Sequence, residues 1–427
     1  MKEAVTFPVN NFESIKLKML NWANQFSIFC FLDNNSYHFE APAFECFLAA
    51  GAKRSVKANA GNAFEQLKIF SRQNNGEWLF GHLGYDLKNE IENLHSDNFD
   101  GIQFPDTHFF VPEFVLKLTR NRLSIYAGSG AEEVFKAVIK ADPVTAFNAP
   151  QQLIIQNRIA RTAYIDTIKK LQAHMLRGDC YEVNYCQEFF ALDANINPVA
   201  VYKKLSAVSP NPFAAFYKLD DKYCICASPE RYLKKLGTRI FSQPIKGTVT
   251  RNLSDSNADD ENRQYLVNSD KEKSENVMVV DLVRNDLSRI CKEGTVKVEE
   301  LFGIYSFPQV HQMISTISGA VAEGLDWVDM VKATFPMGSM TGAPKKRVME
   351  LIEAYEKTKR GAYSGAIGFV SPQSDFDFNV VIRSILYNST NKYLSFQAGS
   401  AVTYYSEAVA EYDECLLKAG AIKEALM

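Results

Sequence analysis

The pattern of apolar and polar positions predicts a chain that mixes helices and strands. Between 162 and 177, Ile165, Ile168, Leu171 and Met175 follow the three-to-four spacing of an amphipathic helix. Short apolar runs bounded by turn residues predict strands at 26–32, 78–86, 181–190, 223–227, 239–244, 365–371, 378–387 and 393–398. Further helices are predicted at 272–289, 327–334, 345–357 and 406–425. Strands and helices do not alternate regularly, so we predict an α+β protein with mainly antiparallel sheets.

One segment has the composition of a linker, namely ADPVTAFNAPQQ at 141–152. The part before it is irregular and rich in aromatic residues, whereas the part after it shows clear helical and strand patterns. We therefore predict an N-terminal region at 1–150 and a larger second region at 158–425.

Composition excludes several classes of protein. The 427 residues carry a net charge of −3 and a sequence pI of about 6.2, so we expect neither nucleic acid nor an anionic membrane as a partner. No segment approaches the ~20 apolar residues of a membrane span, and the first residues lack the apolar run of a signal peptide. The eight cysteines form no C-x-x-C pair. These features predict a cytoplasmic protein with reduced thiols.

A lysine stands in an unusual place in the stretch SQPIKGT, 242–248. Partial burial of Lys246 in this apolar, strand-like stretch would lower its pKa, and a neutral amine is a nucleophile. Glu230 precedes it in SPER, and a hairpin over 231–246 would bring both side chains to one sheet edge as acid and nucleophile. The alternatives are an edge-strand lysine with its head in water and a surface turn at Glu230-Arg231.

Two acidic pairs have the i,i+3 spacing of one helix face. Glu272 and Glu275 lie above apolar Val279 and Leu282 at the start of a predicted helix. The second pair, Glu411 and Glu414, shares its face with Cys415, Lys418 and Ile422. Converging carboxylate oxygens suit Mg²⁺, which takes one or two protein carboxylates and fills its other positions with water and substrate oxygens. The alternative is a pair of solvated helix faces.

Several segments could hold an anion. The glycine-rich turn GSMTGAPK, 338–345, includes Thr341 and precedes a helix, but it lacks the ending of a P-loop. Arg383 lies in the predicted strand VVIRS, where its guanidinium group could bind a carboxylate through two parallel hydrogen bonds. Gly399 and its neighbours offer backbone with small side chains. His311 could be a ligand, an acid or a core histidine, and its local sequence favours the core.

From about Tyr164 to the C-terminus, these motifs resemble the chorismate-utilising enzymes. The family includes component I of anthranilate synthase and of aminodeoxychorismate synthase, and isochorismate and salicylate synthases. The resemblance is carried, in order, by GDCYEVNYCQ (178–187), SPERY (228–232), PIKGT (244–248), DKEKSENVMVVDLVRNDLSRI (270–290), FPMGSMTGAPK (335–345), GAYSGAIGF (361–369), IRS (382–384), QAGSAV (397–402) and AEYDECLLKA (410–419). The stretch WLFGHLGYDLKNEIE (78–92) is similar to the N-terminal part of component I enzymes.

The resemblance implies a fold and a set of roles. Two large, mainly antiparallel sheets would pack as a sandwich with helices outside, with the N-terminal region built into this body and the active site between the sheets. Glu275 and Glu414 match Mg²⁺ ligands, and Glu272 and Glu411 match supporting acidic positions. The resemblance assigns Glu230 to a general acid, and it places at the substrate Arg383, Tyr363, Gly399, Thr248, His311, Lys418 and Thr341.

Lys246 then indicates one branch of the family. Anthranilate, isochorismate and salicylate synthases generally carry alanine there, whereas aminodeoxychorismate synthases commonly carry lysine, which is thought to attack the ring. Isochorismate and salicylate synthases use a lysine base at the position that Glu182 matches here, which argues against those two branches. Component I enzymes often have glutamine at that position.

The implied reaction converts chorismate and ammonia to 4-amino-4-deoxychorismate, a precursor of 4-aminobenzoate and folate. The chain shows no convincing glutaminase motif, so we expect ammonia from solution or from a separate glutamine amidotransferase subunit. Anthranilate synthase component I is the alternative within the family. Outside it, the alternatives are a Schiff-base or pyridoxal phosphate enzyme and a non-catalytic paralogue.

Overall fold

The computed structural model describes residues 4–37, 45–128, 130–141, 153–307 and 309–427. Within these ranges the strands are β1 (Val5–Pro8), β2 (Ile28–Asp33), β3 (Cys46–Ala58), β4 (Leu79–Leu83), β5 (Thr107–Thr119), β6 (Arg122–Tyr126), β7 (Gln156–Asn157), β8 (Glu182–Ala191), β9 (Phe213–Leu219), β10 (Lys222–Ser228), β11 (Arg231–Leu236), β12 (Arg239–Gln243), β13 (Ile245–Thr250), β14 (Lys297–Ser306), β15 (Val310–Ala320), β16 (Gly342–Ala343), β17 (Ala366–Val370), β18 (Phe376–Asn379), β19 (Ser384–Asn388) and β20 (Tyr393–Thr403).

The α-helices of the same ranges are α1 (Phe12–Ala23), α2 (Ala63–Gln73), α3 (Lys88–Glu92), α4 (Ala131–Lys140), α5 (Arg161–Leu176), α6 (Pro198–Val208), α7 (Ser256–Asn268), α8 (Asp270–Ser288), α9 (Trp327–Thr334), α10 (Lys345–Tyr355) and α11 (Ala408–Leu426). Single 3₁₀ turns lie at Tyr85–Leu87 and Gly338–Met340. No helix in the described ranges has both the length and the apolar character needed to cross a bilayer.

The strands form two large antiparallel sheets, as predicted. One sheet runs β1-β6-β5-β3-β2-β9-β10-β19-β20-β8, with β7 and β16 on the outer side of β8. The other runs β5-β4-β17-β18-β11-β12-β15-β14, with β13 also paired to β15. The long strand β5 belongs to both sheets, because its first half pairs with β4 and its second half with β6.

Aromatic side chains fill the space between the sheets, while helices cover the outer faces. Phe47, Phe80 and Phe369 pack with ring centroids 5.1 to 5.8 Å apart. Outside, α1, α5, α6 and α11 pack on the first sheet, and α2, α8 and α9 pack near the second. The side chains of Phe109 and Trp327 show this outer contact, with ring centroids 5.1 Å apart. Burial of this apolar surface is the main force that holds the two layers together.

Strands of the N-terminal region are paired directly with strands of the second region. β2 lies against β9 over six residue pairs, from Ile28 opposite Leu219 to Asp33 opposite Ala214. β4 lies against β17 over five residue pairs. Of the predicted linker at 141–152, residues 142–152 lie outside the described part of the chain. The division at about residue 150 therefore stays a prediction.

The predicted strand at 378–387 is wrong in one respect that matters for the site. The strand stops at Asn379 and a new one begins at Ser384, because Arg383 has a left-handed backbone with φ of 49°. In the gap, the Val380 N–H donates to the Glu230 carbonyl at 3.0 Å. Arg383 therefore belongs to an irregular connection that packs on the turn of Glu230, and not to a strand.

The glycine-rich turn is also more complex than its sequence indicated. The 3₁₀ turn Gly338–Met340 is followed by β16, which pairs with the first residues of β8, and α10 begins only at Lys345. The Asn184 N–H donates to the Thr341 carbonyl at 2.8 Å. These contacts hold the turn against the start of β8, next to Glu182.

Candidate active site

The site is centred on a lysine and a glutamate from distant parts of the chain. The predicted hairpin is present as β11 and β12, and it leads directly into β13, which carries Lys246. The Lys246 Nζ donates to Glu182 Oε1, at the start of β8, at 2.8 Å. Only 10 % of the Lys246 side chain and 2 % of the Glu182 side chain are exposed. The pair is therefore a buried ion pair, and the alternative of a lysine with its head in water does not hold.

The expected direction of the Lys246 pKa is wrong. Burial does lower this pKa, as the sequence argument assumed, but the negative charges of Glu182 and Glu275 and the hydrogen bond to Glu182 outweigh burial. The net result is a pKa raised above that of an ordinary lysine. Lys246 is therefore charged in the protein as it stands, and it has to lose a proton before it can act as a nucleophile.

Glu230 lies in the buried turn between β10 and β11. Its backbone is fixed on both sides, since its N–H donates to Ser228 Oγ at 3.1 Å and its carbonyl accepts from the Val380 N–H. Burial raises the pKa of its carboxyl group to about 7, although the Ser339 hydroxyl and the charge of Lys246 act in the opposite direction. A carboxyl group that keeps its proton near neutral pH is suited to general acid catalysis. This geometry removes the alternative of a surface turn.

The two acidic pairs come together at the first turns of α8 and α11. The Lys271 Nζ lies 3.9 Å from Glu275 Oε1 and 3.7 Å from Glu411 Oε1, so one ammonium group spans both helices. Glu275 and Glu411 are buried, and Glu272 is partly buried. Each predicted pair thus lies on a partly buried side of its helix, and the alternative of two fully solvated helix faces does not hold.

The pKa values in this cluster reflect its crowding. Burial raises the pKa of Glu275 to about 7, with Glu182 and Glu272 adding to the rise and Lys246 opposing it. Burial likewise raises the pKa of Glu272. Glu414 differs, because the Lys418 ammonium at 2.7 Å more than offsets burial and lowers its pKa. Carboxylates whose pKa rises in this way would gain from a nearby cation.

The donor set fits Mg²⁺ in chemistry, but the oxygens are not gathered around one point. In the described residues, no group of three or more His, Cys, Asp or Glu side chains stands close enough to hold a metal ion. The Oε2 atoms of Glu411 and Glu182 are buried and accept no hydrogen bond from any described residue. Buried carboxylate oxygens without donors are costly, and a hard cation would relieve that cost.

Arg383 is a half-buried cation without a carboxylate partner among the described residues. Burial lowers the pKa of its guanidinium group, and the charge of Tyr37 opposes this only in part. Its carbonyl accepts from the Ala227 N–H at 3.2 Å, which fixes the backbone. A guanidinium group that is desolvated and not paired favours binding of an anionic ligand.

Tyr363 and Gly399 both approach Cys186 in β8. The Tyr363 hydroxyl is 3.6 Å from Cys186 Sγ, and Gly399 stands opposite Cys186 in the ladder of β20 and β8. Any side chain at position 399 would collide with the Tyr185 carbonyl and the Cys186 backbone, so the close approach requires glycine. The Gly399 carbonyl accepts from the Lys418 Nζ at 3.1 Å, which links this edge to α11.

Three other predicted residues have their polar groups occupied within the protein. The Thr341 hydroxyl donates to the Met337 and Gly338 carbonyls, each at 3.2 Å. Thr248 Oγ1 accepts from Gln312 Nε2 at 3.4 Å. The two ring nitrogens of His311 lie 2.8 Å from Ser306 Oγ and 3.2 Å from Asp259 Oδ1. His311 therefore matches the core alternative, since both its nitrogens already have partners.

Glu182 is the one residue of this buried pair that the sequence did not place among the site residues. Its position served there to distinguish branches of the family, and nothing in its local pattern indicates a partner on β13. A cleft of about 940 Å³ lies elsewhere and is lined partly by Lys57, His95, Asp106 and Lys222, so the presence of a large cleft does not by itself mark this site.

The comparisons with known proteins agree with this geometry. Residues 28–424 match the family model described as chorismate binding enzyme. The chain therefore belongs to the family of chorismate-binding enzymes.

Within that family, the chain is similar to aminodeoxychorismate synthase component 1. It is 33 % identical over 346 residues to that protein of Klebsiella aerogenes, an alignment that covers 80 % of this chain and 75 % of the relative. It is 32 % identical over 370 residues to the Bacillus subtilis protein of the same name, covering 81 % and 76 %. Among solved structures, anthranilate synthase component I from Streptococcus pneumoniae matches with a TM-score of 0.78 and 26 % identity, covering 90 % of this chain and 93 % of that one.

Proposed function

We propose that this chain is the chorismate-converting component of an aminodeoxychorismate synthase. The observation that carries the proposal is a buried amine, Lys246, whose charge acts on the buried, protonatable carboxyl group of Glu230 in a chorismate-binding fold. Family members without a lysine at this position lack such a nucleophile. The reaction class is therefore covalent substitution at the ring of chorismate, followed by transfer of an amino group from ammonia.

The proposed first step forms a bond between Lys246 Nζ and C2 of the ring. As the amine lone pair attacks C2, the two ring double bonds shift toward C4 and the C4–O bond breaks. Glu230 delivers its proton to the departing oxygen, which leaves as water. Ammonia then attacks C4, the double bonds shift back, and the C2–N bond breaks with its electron pair returning to Lys246. The product is 4-amino-4-deoxychorismate.

Arg383 and Tyr363 are proposed to hold the enolpyruvyl carboxylate. A buried guanidinium group binds a carboxylate through two parallel hydrogen bonds, which fixes the direction of the ring as well as its position. Gly399 allows β20 to approach Cys186, which the Tyr363 hydroxyl also contacts, and we propose that this close packing shapes the wall of the carboxylate site. We propose that Lys418, Thr248 and Thr341 lie around the bound ring and the acidic cluster. His311 is proposed to support β13 through the neighbouring strand β15, where it stands opposite Val249.

Mg²⁺ is proposed to be held by Glu275 and Glu414, supported by Glu272 and Glu411. When bound, it would supply positive charge for the ring carboxylate of chorismate, because neither acidic helix can offer that charge by itself. Lys271 and Lys418 currently neutralise part of the cluster and would turn away from these oxygens.

Product identification tests the proposal. The purified protein is incubated with chorismate, Mg²⁺ and an ammonium salt, and 4-amino-4-deoxychorismate lyase is added to half of the mixture. We expect 4-aminobenzoate only where the lyase is present. Fluorescent anthranilate without the lyase would instead establish the anthranilate synthase alternative. The similarity to anthranilate synthase component I from Streptococcus pneumoniae is the reason to test for this product.

The source of ammonia is a further part of the proposal. The relatives are named component 1, which implies a second component, and we propose that a glutamine amidotransferase subunit supplies ammonia to this chain. The physiological role would then lie in the synthesis of 4-aminobenzoate and folate.

Replacing Arg383 by glutamine is expected to raise the KM for chorismate about 10- to 100-fold, because a charge-assisted hydrogen bond contributes roughly 1.5–3 kcal/mol. The turnover number kcat should change much less than KM. Initial rates against chorismate concentration measure both. Arg284→Gln is a matched control, since Arg284 is exposed and its ion pair among the described residues is with Asp281 on its own helix. An unchanged KM in Arg383→Gln would contradict the assignment.

Replacing Glu275 by glutamine is expected to weaken Mg²⁺ binding by about 10- to 100-fold, because the site loses a charged oxygen donor. Calorimetric titration of the protein with Mg²⁺ alone measures this without any reaction. Asp413→Asn is the control, because Asp413 lies on α11 next to Glu414 but on its exposed face. Equal Mg²⁺ affinity in Glu275→Gln and in the wild type would show that the acidic cluster is not the metal site.

A further inference from the structure

Glu182 and Lys246 form a buried ion pair. Within 4 Å of Lys246 Nζ, the described carboxylates include Glu182 alone, whose Oε1 lies at 2.8 Å. The other oxygen of Glu182, Oε2, is buried and receives no hydrogen bond from any described residue. Burial on both sides prevents water from weakening the pair. The position of the amine is therefore determined by this one carboxylate.

Other charges reach Lys246 from a greater distance. When ionised, Glu275 on α8 and Glu230 in the turn after β10 act on Lys246 from a distance, and the charge of Lys246 lowers the pKa values of Glu272 and Glu414. A cation bound by the acidic helices would offset the charges of Glu272, Glu275 and Glu414. It would leave Glu182, which lies on β8 and not on either acidic helix, as the main group that keeps the amine charged.

We propose that Glu182 is a positioning residue that holds Lys246 in its protonated form and thereby limits the fraction of the amine that is neutral, and so nucleophilic, at a given pH. In the resting pair, the proton resides on Nζ and the negative charge on the carboxylate. To attack, Nζ gives that proton to solvent and keeps its lone pair. A glutamine at 182 would still accept a hydrogen bond from Nζ, but it would not stabilise the positive charge.

The inference deepens the proposed function and rests on it for its kinetic consequence, but the state of the amine can be measured without any reaction. The protein, saturated with Mg²⁺, is labelled with trace acetic anhydride across a range of pH, and acetylation of the peptide containing Lys246 is quantified by mass spectrometry. Surface lysines in the same sample serve as internal references. We expect the midpoint for wild-type Lys246 to lie above that of the surface lysines.

In Glu182→Gln the midpoint is expected to fall by at least about one pH unit, since a nearby opposite charge typically shifts a pKa by one to three units. Glu182→Asp keeps the charge at a greater distance and should give an intermediate midpoint. Glu188→Gln is the matched control on the same strand, because Glu188 pairs with Arg158 instead of a site lysine, and its midpoint should equal that of the wild type. Equal midpoints in the wild type and Glu182→Gln would overturn the inference.

The rate of Glu182→Gln is expected to change for the same reason as its labelling midpoint. A lower lysine pKa increases the fraction of free amine at neutral pH, so kcat/KM of Glu182→Gln with ammonia should rise and its alkaline limb should move to lower pH. A fall in kcat/KM with an unchanged profile would overturn the inference and would indicate that Glu182 takes part in the chemistry. A wild-type protein that forms no 4-amino-4-deoxychorismate would sink the proposed function, while the labelling midpoints would still decide the role of Glu182.

Discussion

Replacing Lys246 by alanine is expected to lower ammonia-dependent turnover of chorismate by on the order of 10³-fold or more, because the variant lacks the proposed nucleophile. A second observable is the covalent adduct. Wild-type protein incubated with chorismate and Mg²⁺ without ammonia should accumulate a mass increase on the peptide that contains Lys246, and the alanine variant should not. The coupled lyase assay measures turnover, and mass spectrometry of the intact and digested protein measures the adduct.

Loss of activity in Lys246→Ala needs a control for folding, because the change leaves Glu182 buried without its cation. Breaking a buried ion pair in this way costs about 3–5 kcal/mol. Lys246→Arg keeps the positive charge, but its guanidinium group stays protonated and does not attack. We expect the arginine variant to unfold near the wild-type temperature and to be as inactive as the alanine variant.

Lys218, a lysine on strand β9, provides a control for the specificity of the Lys246→Ala effect. Lys218 donates to the Asn24 carbonyl at 3.0 Å and has no role in the proposed site, so Lys218→Ala should turn over chorismate at the wild-type rate. Turnover of Lys246→Ala within about tenfold of the wild type would remove Lys246 from the chemistry.

The fold was largely predictable because its elements have strong local signals. The helix predicted at 327–334 has the observed bounds of α9, and the helix predicted at 162–177 is displaced from α5 by one residue. The predicted strand at 378–387 failed because its apolar run continues through a bend at Arg383. Apolar periodicity describes which residues are buried, but a residue with a positive φ in the middle of a buried run leaves no mark on that pattern.

The sequence indicated which acidic side chains share a helix face, but not the charges that surround Lys246. The i,i+3 spacing of the glutamates identified both acidic helix faces, since their helices are local structures. The pair of Glu182 and Lys246 joins residues 64 positions apart, on strands that are not neighbours in either sheet. Burial alone predicts a lowered pKa for Lys246. The direction of the shift is reversed by the negative charges around it, Glu182 first, and the local sequence does not show that Glu182 is its partner.

The two raised pKa values together determine how activity depends on pH. The reactive form has a neutral Lys246 and a protonated Glu230. Because the pKa of Lys246 is above its usual range and that of Glu230 is about 7, this form is a minor tautomer of the state with a charged Lys246 and an ionised Glu230. Its fraction rises with pH up to about 7 and then stays level. The wild type, saturated with Mg²⁺, is therefore expected to show a kcat/KM that rises through about pH 7 and does not fall just above it.

Replacing Glu230 by glutamine is expected to lower kcat by roughly 10²–10⁴-fold at neutral pH, because the C4 oxygen would leave without a proton donor. The pH profile should also change shape. With Glu230 absent, only the loss of the Lys246 proton remains, so kcat/KM of the variant should keep rising about tenfold for each pH unit above 7, where the wild type is level. Rates measured from pH 6 to 9 with saturating Mg²⁺ and a constant concentration of free ammonia separate the two shapes. Glu230→Asp keeps a carboxyl group and should retain the level region at a reduced rate. A Glu230→Gln profile parallel to the wild type would show that the proton reaches the leaving oxygen from another group.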